Sequence, residues 1–285
     1  HDIALRVGDV DRWTFPLRAV ARFHRARKDA VGFELVPDPG LIEGLEPKFQ
    51  AELEVLAAIK AEETGLEQPE IKVWDHLYYQ NLLMVRQYGV DTAELRNYFP
   101  LERVLEGMFL VYEHLFGIRF YPVEPTNPWV DDLRLFVAED ARTLEPLGAF
   151  YLDLFPRDGK YNHFAQFDVV GGKRLPDGNY RRPVAALVCN FTPGTGGEAA
   201  LMTHDEVETF FHEFGHCLHT VLTRAEHGRF AGGAVPRDFV EAPSQMFENW
   251  VWDPDVLSIF AGHWQDPSRS VPVARSGPYI LSAGA

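Results

Sequence analysis

Apolar residues recur at helical spacing in two long segments of the chain. From Glu46 to about Glu63, apolar positions repeat every three to four residues with Glu and Lys between them, which predicts an amphipathic helix. A second apolar stripe follows Pro100, a residue suited to the start of a helix, and ends before Gly117. Both segments are therefore predicted to be helices that bury one face.

The pattern changes between about residue 118 and residue 190. Short runs rich in β-branched and aromatic residues alternate there with Pro, Gly, Asp and Asn, which is typical of strands joined by turns. The runs are Ile118 to Val123, Leu133 to Ala138, Ala149 to Phe155 and Val184 to Phe191. They predict a small sheet in the middle of the chain.

Helical spacing returns after the predicted sheet. The segments 203–222, 238–252 and 254–264 are predicted helices, the second of them despite Pro243 in its interior. No internal repeat is present. The predicted fold is therefore mainly α with a small β-sheet, in the α+β class.

Composition divides the chain into three parts. Residues 1–40 mix basic and apolar positions and give no structural prediction, whereas residues 41–264 hold the predicted elements and residues 265–285 form an irregular tail. Aromatic residues cluster within residues 73–79. Because aromatic side chains dominate protein cores, this cluster is expected to be buried.

Charge and cysteine content exclude several functions. Hydrophobic residues make up 46% of the chain, which is enough for a packed core, but Asp and Glu outnumber Lys and Arg 42 to 27. A formal net charge of -15 argues against nucleic acid as a partner. Two cysteines, Cys189 and Cys217, cannot build a disulfide framework or a Cys-rich zinc site, so a cytoplasmic location is expected. No apolar run reaches the roughly 18 residues of a spanning helix, and no signal peptide is recognisable, so no membrane partner is expected.

The chemistry is concentrated in the pattern His212-Glu213-Phe214-Gly215-His216. Residues four apart lie on one face of a helix, so both imidazoles can reach one Zn²⁺ ion. The carboxylate of Glu213 can then approach a water held by the metal. This spacing predicts the metal-binding part of a hydrolytic site.

A third ligand is expected on the next predicted helix. Glu241 supplies a carboxylate that completes a set of two histidines and one glutamate and leaves one coordination position open. Asp238 lies one turn away from it and is interpreted as the residue that caps the helix, or else as a hydrogen-bond acceptor for a ligand imidazole. His204 and His219 fall outside the pair at four-residue spacing and are interpreted as exposed residues or as supporting partners, not as ligands.

Several segments, in the same order, resemble the thimet oligopeptidase family of zinc peptidases. The resemblance covers roughly residues 41–264, and family members are usually more than twice as long as this chain. It is carried by Val-Trp-Asp-His-Leu-Tyr-Tyr at 73–79, Tyr-Phe-Pro-Leu-Glu-Arg-Val-Leu-Glu-Gly at 98–107, Phe-Tyr-Leu-Asp-Leu-Phe-Pro-Arg-Asp-Gly-Lys at 150–160, Pro-Val-Ala-Ala-Leu-Val-Cys-Asn-Phe at 183–191, the segment around His212, and Arg-Asp-Phe-Val-Glu-Ala-Pro-Ser-Gln-Met-Phe-Glu-Asn-Trp at 237–250.

The resemblance implies a zincin-like catalytic core of a helical oligopeptidase. His212, His216 and Glu241 match the family's ligands for one Zn²⁺ ion, and Glu213 matches its general base. The resemblance also implies a deep channel that admits short peptides. The strand predicted at Val184 to Asn190 is interpreted either as an edge that pairs with a peptide or as a purely structural strand.

The family's C-terminal segment supplies a histidine and tyrosines for the scissile carbonyl oxygen, and no such segment is recognised here. Tyr279 lies in Ser-Gly-Pro-Tyr-Ile-Leu, which does not match it. Three hypotheses follow: a zinc peptidase that cleaves internal bonds of short peptides, a zinc-binding fragment with little or no activity, and a helical interaction domain without metal. Neither the oligomeric state nor the choice between endopeptidase and dipeptidyl-carboxypeptidase activity is predicted.

Overall fold

The computed structural model describes residues 39–89 and 91–271. The predictions for residues 1–38, for the tail beyond residue 271 and for Tyr279 therefore concern residues outside this part of the chain. The described residues fall into two compact units, of which the first runs to Asp91 and the second begins at Thr92. Helix and strand are both present, as the α+β prediction requires.

The first unit contains two helices. Helix α1 covers Pro39–Thr64 and is longer than predicted, and helix α2 covers His76–Tyr88. Between them Lys60 is the main polar link, since its ammonium group lies 2.5 Å from the Asp75 carboxylate and donates to the Glu70 carbonyl at 3.0 Å. The core of this unit consists of Leu56, Ile59, Tyr79, Ile71, Leu82 and Leu83.

The prediction that the aromatic cluster at residues 73–79 is buried was wrong for most of its members. Only Tyr79 lies in the core of the first unit, while Trp74 is 79% exposed and Tyr78 is 52% exposed. Because α2 begins at His76, its helical spacing turns only part of the cluster towards α1. The composition of this segment predicted that its aromatic rings are buried, but which rings are buried depends on the residue at which α2 begins.

The second unit begins with the short helix α3, Thr92–Leu95, and continues into α4, Leu101–Phe116. The bounds of α4 agree with the prediction. Pro100 precedes the first turn with extended backbone angles, and Gly117 ends the helix at φ 61°. That left-handed angle is unfavourable for residues with a side chain, which explains the glycine at this stop.

A five-stranded sheet follows α4, with the strands in the order β1-β2-β3-β7-β4. Its strands are β1 Ile118–Val123, β2 Arg134–Asp140, β3 Pro146–Asp153, β4 Ala165–Val170 and β7 Val184–Val188, and a separate hairpin is formed by β5 Lys173–Arg174 and β6 Tyr180–Arg181. Strands β3 and β7 are parallel, while the other neighbours in the sheet are antiparallel. All four predicted runs form strands, but β4 and the two short strands of the hairpin, β5 and β6, were missed.

The missed strand changes the interpretation of the run at Val184 to Asn190. Strand β7 lies between β3 and β4 and is hydrogen-bonded on both sides. The edge beside it is β4, so β7 is the structural strand of the two alternatives. Strand β4 has the pattern Ala-Gln-Phe-Asp-Val-Val, in which the first five residues alternate between apolar and polar, so the strand signal was present in the sequence and was overlooked.

The inner face of the sheet packs on α4 and on the next long helix, α5, His204–Val221. Phe150 of β3 lies 5.2 Å from Phe214 of α5 and 6.0 Å from Phe109 of α4, measured between ring centroids. The polar start of α5 is closed by a capping box in which Thr203 and Glu206 each bind the other's backbone N–H. These contacts fix α5 against the sheet.

Two further helices complete the described part of the second unit. Helix α6 covers Arg237–Glu248 and contains Pro243, and a 3₁₀ helix, Asn249–Trp252, follows it directly. Helix α7, Pro254–Phe260, ends earlier than the predicted residue 264. Helices α5 and α6 pack side by side, and this pair carries the candidate site.

A buried ionic network closes the end of β3. The Asp153 carboxylate accepts from Arg157 at 2.7 and 2.9 Å and from the Trp129 indole at 2.8 Å, and Lys160 lies 2.8 Å from it. Both Asp153 and the Lys160 side chain are 3% exposed. Burial alone would raise the pKa of Asp153, but these donors hold it at about 2. The ionised carboxylate is thus part of the folded state.

Replacing Asp153 with asparagine should lower the free energy of unfolding by about 3–5 kcal/mol, because the buried ammonium of Lys160 loses its counter-ion. Since the pKa of Asp153 is depressed from 3.8 to about 2, its contribution is present above pH 4 and is lost as the pH falls from about 4 to 2. Urea unfolding at pH 7 and at low pH measures both effects. An Asp153→Asn variant as stable as the wild type at pH 7 would contradict the assignment.

Candidate metal centre

Helix α5 places two imidazoles side by side. The ring centroids of His212 and His216 are 4.9 Å apart, and their side chains are 17% and 14% exposed. Four-residue spacing on a helix produces this arrangement directly. Around them the helix is apolar, with Phe210, Phe211 and Phe214 fully buried. The two histidines therefore lie next to the buried apolar face of the helix.

Helix α6 brings the third residue of the predicted set to the same point. The Glu241 Oε2 atom lies 3.3 Å from His212 Nε2 and 3.1 Å from His216 Nε2. In a tetrahedral site with metal–ligand bonds of about 2.0–2.1 Å, ligand atoms are about 3.3 Å apart. The three ligand atoms lie within 4.8 Å of one another, so the donor set fits a single metal ion.

Close contact between α5 and α6 depends on Gly215, which lies between the two histidines. A Cβ atom at this position would come within 2.8 Å of the Phe247 ring and 2.9 Å of the Ser244 Cα atom. The absence of a side chain therefore lets α6 approach α5 closely enough for Glu241 to reach both imidazoles. This role of the glycine was not predicted from the sequence.

Two other residues of α6 support the site and were also missed. Glu248 accepts a hydrogen bond from His212 Nδ1 at 2.7 Å, which leaves Nε2 of that ring directed at Glu241. The Ser244 hydroxyl lies 3.0 Å from Glu241 Oε2. A carboxylate behind a ligand histidine fixes its tautomer and raises its basicity. The signal in the sequence was the seven-residue spacing of Glu241 and Glu248, which places both on one face of the helix.

Glu213 lies beside the three donors without joining them. Its Oε2 atom accepts a hydrogen bond from the Gln166 backbone N–H at 3.1 Å, so the missed strand β4 borders the site. The side chain is half-buried. Burial raises the pKa of Glu213, and the neighbouring His212 and His216 oppose that shift. Glu213 therefore lies at the site with one carboxylate oxygen bound to β4 and with a raised pKa.

Hydrogen bonds within the site shift the pKa values of His212 and Glu241. Burial would lower the pKa of His212, but hydrogen bonds to Glu241 and Glu248 raise it to about 9. The same hydrogen bonds from His212 and His216 hold the pKa of Glu241 well below its usual range. The two carboxylates therefore favour a positive charge on His212.

The other polar residues considered from the sequence, Asp238, His204 and His219, lie outside the donor cluster. Asp238 does not cap α6, because the position before the helix is Pro236 and Asp238 lies in the first turn. His204 is buried and donates from Nε2 to the Val251 carbonyl at 2.9 Å, so its interpretation as an exposed residue was wrong. His219 contacts the edge of the Phe239 ring at 6.5 Å. None of these three belongs to the donor cluster of His212, His216 and Glu241.

Replacing Glu248 with alanine should weaken zinc binding by about 10–100-fold, because His212 would lose the partner that sets its tautomer and ring orientation. Competition against a chromogenic chelator measures the change. A Glu43→Ala variant, in which an exposed carboxylate of α1 is removed, serves as the control. Equal zinc affinity in both variants would show that Glu248 does not orient the ligand.

Comparison with known proteins assigns the chain to a class. The sequence signature of peptidase family M3 matches residues 41–271. A thimet-like oligopeptidase of Dictyostelium discoideum is 43% identical over 201 residues, which are 70% of this chain and 30% of the relative. Oligopeptidase A of Escherichia coli is 40% identical over 220 residues, or 77% of this chain and 32% of the relative. Saccharolysin of Saccharomyces cerevisiae is 39% identical over 232 residues, or 78% and 33%.

The matched signature and the three relatives together show the family of this chain. The chain belongs to peptidase family M3, which confirms the resemblance to the thimet oligopeptidases. It spans about a third of the length of the curated relatives that it matches. Among the described residues, no helix combines the length and apolar character needed to cross a membrane.

Proposed function

We propose that this chain is the catalytic core of a zinc-dependent peptidase that hydrolyses internal bonds of short peptides. The observation that carries the proposal is the convergence of His212, His216 and Glu241 at separations of 3.1 and 3.3 Å. Two imidazoles and one carboxylate are a donor set used by catalytic zinc. The substrate class follows from the relatives, whose names identify two of the three described above as oligopeptidases.

Three residues of the site would bind the metal, and a fourth would transfer protons. His212, His216 and Glu241 would hold one zinc ion, which supplies a Lewis acid for the peptide carbonyl and activates water. Glu213 accepts the proton of the attacking water and passes it to the leaving amine. The Gln166 N–H holds one oxygen of Glu213 in place. Glu248 keeps His212 turned towards Glu241.

Zinc analysis together with a cleavage assay tests the proposal. We expect one zinc per purified chain and cleavage of a quenched fluorescent peptide of about ten residues, which a chelator abolishes and added zinc restores. A chain without zinc would overturn the proposal.

The second hypothesis from the sequence, a zinc-binding portion with little or no activity, makes a different prediction in the same assay. It is favoured by the coverage of only 30–33% of the relatives' length. Zinc without cleavage would support it and would refute autonomous catalysis. Cleavage that a chelator does not affect would refute both.

A further inference from the structure

A row of polar residues runs along α5 from its first turn to the candidate metal centre. His204, Glu208, His212 and His216 follow one another at four-residue intervals, so they line the same side of the helix. Glu208 and His204 are 5% and 8% exposed. The first two residues of the row lie outside the donor cluster, and the mechanism proposed above does not use them.

The partners of this row come from one continuous segment after Glu241. His212 binds Glu248, the last residue of α6. The next residues form the 3₁₀ helix Asn249–Trp252, in which the Trp252 indole donates to Glu208 Oε1 at 3.0 Å. His204 donates to the Val251 carbonyl at 2.9 Å. The 3₁₀ helix is thus held at two points by the start of α5.

Hydrophobic packing alone does not account for these contacts. A carboxyl group that is buried as deeply as that of Glu208 loses its hydrogen bonds to water, and hydrogen bonds within the protein must replace them. Apolar residues of similar size in such places often give equal or greater stability. What a directional bond adds is a fixed register between two segments, since a hydrogen bond is lost within a shift of about 1 Å.

We propose that Glu208 and His204 are positioning residues for the metal ligand His212, because they fix the 3₁₀ helix and thereby the carboxylate of Glu248. The ring of His204 supports this role, since its centroid lies 4.3 Å from that of Trp252. The inference rests on the proposed zinc site, but it does not depend on peptide cleavage. Metal ligands need placement within about 0.5 Å, which a loosely held helix end does not provide.

The test uses two matched tryptophans of the same 3₁₀ helix. Trp252→Phe removes the N–H that binds Glu208 and keeps an aromatic ring, whereas Trp250→Phe removes an N–H that has no hydrogen-bond partner among the described residues. We expect Trp252→Phe to weaken zinc binding by about three- to tenfold, less than the loss of Glu248 itself, and Trp250→Phe to leave it unchanged. Glu208→Gln keeps an acceptor oxygen and should bind zinc as the wild type does.

Two readouts separate positioning from general support of the fold. In Co²⁺-loaded protein, the visible absorption of the tetrahedral site should change in Trp252→Phe and not in Trp250→Phe, because the orientation of His212 differs. In a double-mutant cycle, Trp252→Phe should have no additional effect on zinc affinity once Glu248→Ala is present. If Trp252→Phe does not fold, His204→Phe, which removes the donor to Val251 and keeps a ring, replaces it in both measurements.

The outcomes distinguish this inference from the proposed function. A wild-type chain that binds no zinc overturns the zinc site, and the positioning role with it. A wild-type chain that binds zinc, together with a Trp252→Phe variant that matches Trp250→Phe in affinity and Co²⁺ spectrum, overturns the positioning role alone. Additive effects of Trp252→Phe and Glu248→Ala would also overturn it, since the two residues would then act independently.

Discussion

Replacing Glu213 with glutamine is expected to leave zinc bound and to reduce peptide cleavage by at least about 100-fold. Glutamine preserves the size of the side chain and an acceptor for the Gln166 N–H, but it cannot accept the proton of the attacking water. Because Glu213 is not among the three metal donors, the metal content should not change. The substitution is therefore expected to lower the cleavage rate without lowering the zinc content.

The measurement pairs zinc content with the initial rate on a fluorescent decapeptide at saturating substrate. Glu106→Gln, the same change at an exposed position of α4, is the control and should keep the wild-type rate. If Glu213→Gln cleaves as fast as the control, Glu213 is not the base. If it loses zinc, its carboxylate takes part in metal binding, and the division between donors and base is wrong.

Gly215→Ala is expected to produce the second large effect, a loss of zinc affinity of about tenfold or more together with a destabilisation of about 1–3 kcal/mol. The new methyl group would overlap the Phe247 ring at 2.8 Å and the Ser244 Cα atom at 2.9 Å. A backbone atom cannot rotate away as a side chain can, so α6 must move. Ser244 lies one turn after Glu241, and the displacement therefore carries Glu241 away from both imidazoles.

Zinc titration and urea unfolding of the metal-free protein measure the two parts of this effect. Gly44→Ala is the matched control, because Gly44 also lies inside a helix but no atom that the structure describes in neighbouring elements lies within 4 Å of the place that a Cβ atom would take. Alanine there should raise stability by about 0.5–1 kcal/mol through helix propensity and leave zinc binding unchanged. A Gly215→Ala variant that binds zinc with wild-type affinity would show that the helix spacing does not limit the site.

Local patterns in the sequence determined much of this protein. The four-residue spacing of His212 and His216 on an amphipathic helix, and the carboxylate of Glu241 on the next one, were predictable from the sequence, because helix geometry alone puts residues at such spacing on one face. The stop of α4 at Gly117 and the runs that became β1, β2, β3 and β7 were equally local. Each of these predictions depends on residues within a few positions of one another.

Other features of the site depend on contacts between segments that are far apart in the sequence. Strand β4 was missed although its residues alternate between apolar and polar, and only the tertiary structure brings it beside α5, where the Gln166 N–H binds Glu213. Asp238, at the start of α6, was interpreted as a helix cap or as an acceptor for a ligand imidazole, whereas the acceptor that binds His212 is Glu248 at the end of α6. Which of these carboxylates reaches His212 depends on the direction of α6 and on its distance from α5. Neither can be read from the sequence of one helix.

The sequence by itself thus determined which residues offer donors and on which helices they lie, because the repeat of a helix is fixed by its backbone. The tertiary structure decided whether the donors meet. Gly215 allows α5 and α6 to approach, and Glu208 of α5 binds Trp252 of the 3₁₀ helix that follows α6. Register and distance between helices arise from packing across the whole interface, which no local pattern encodes.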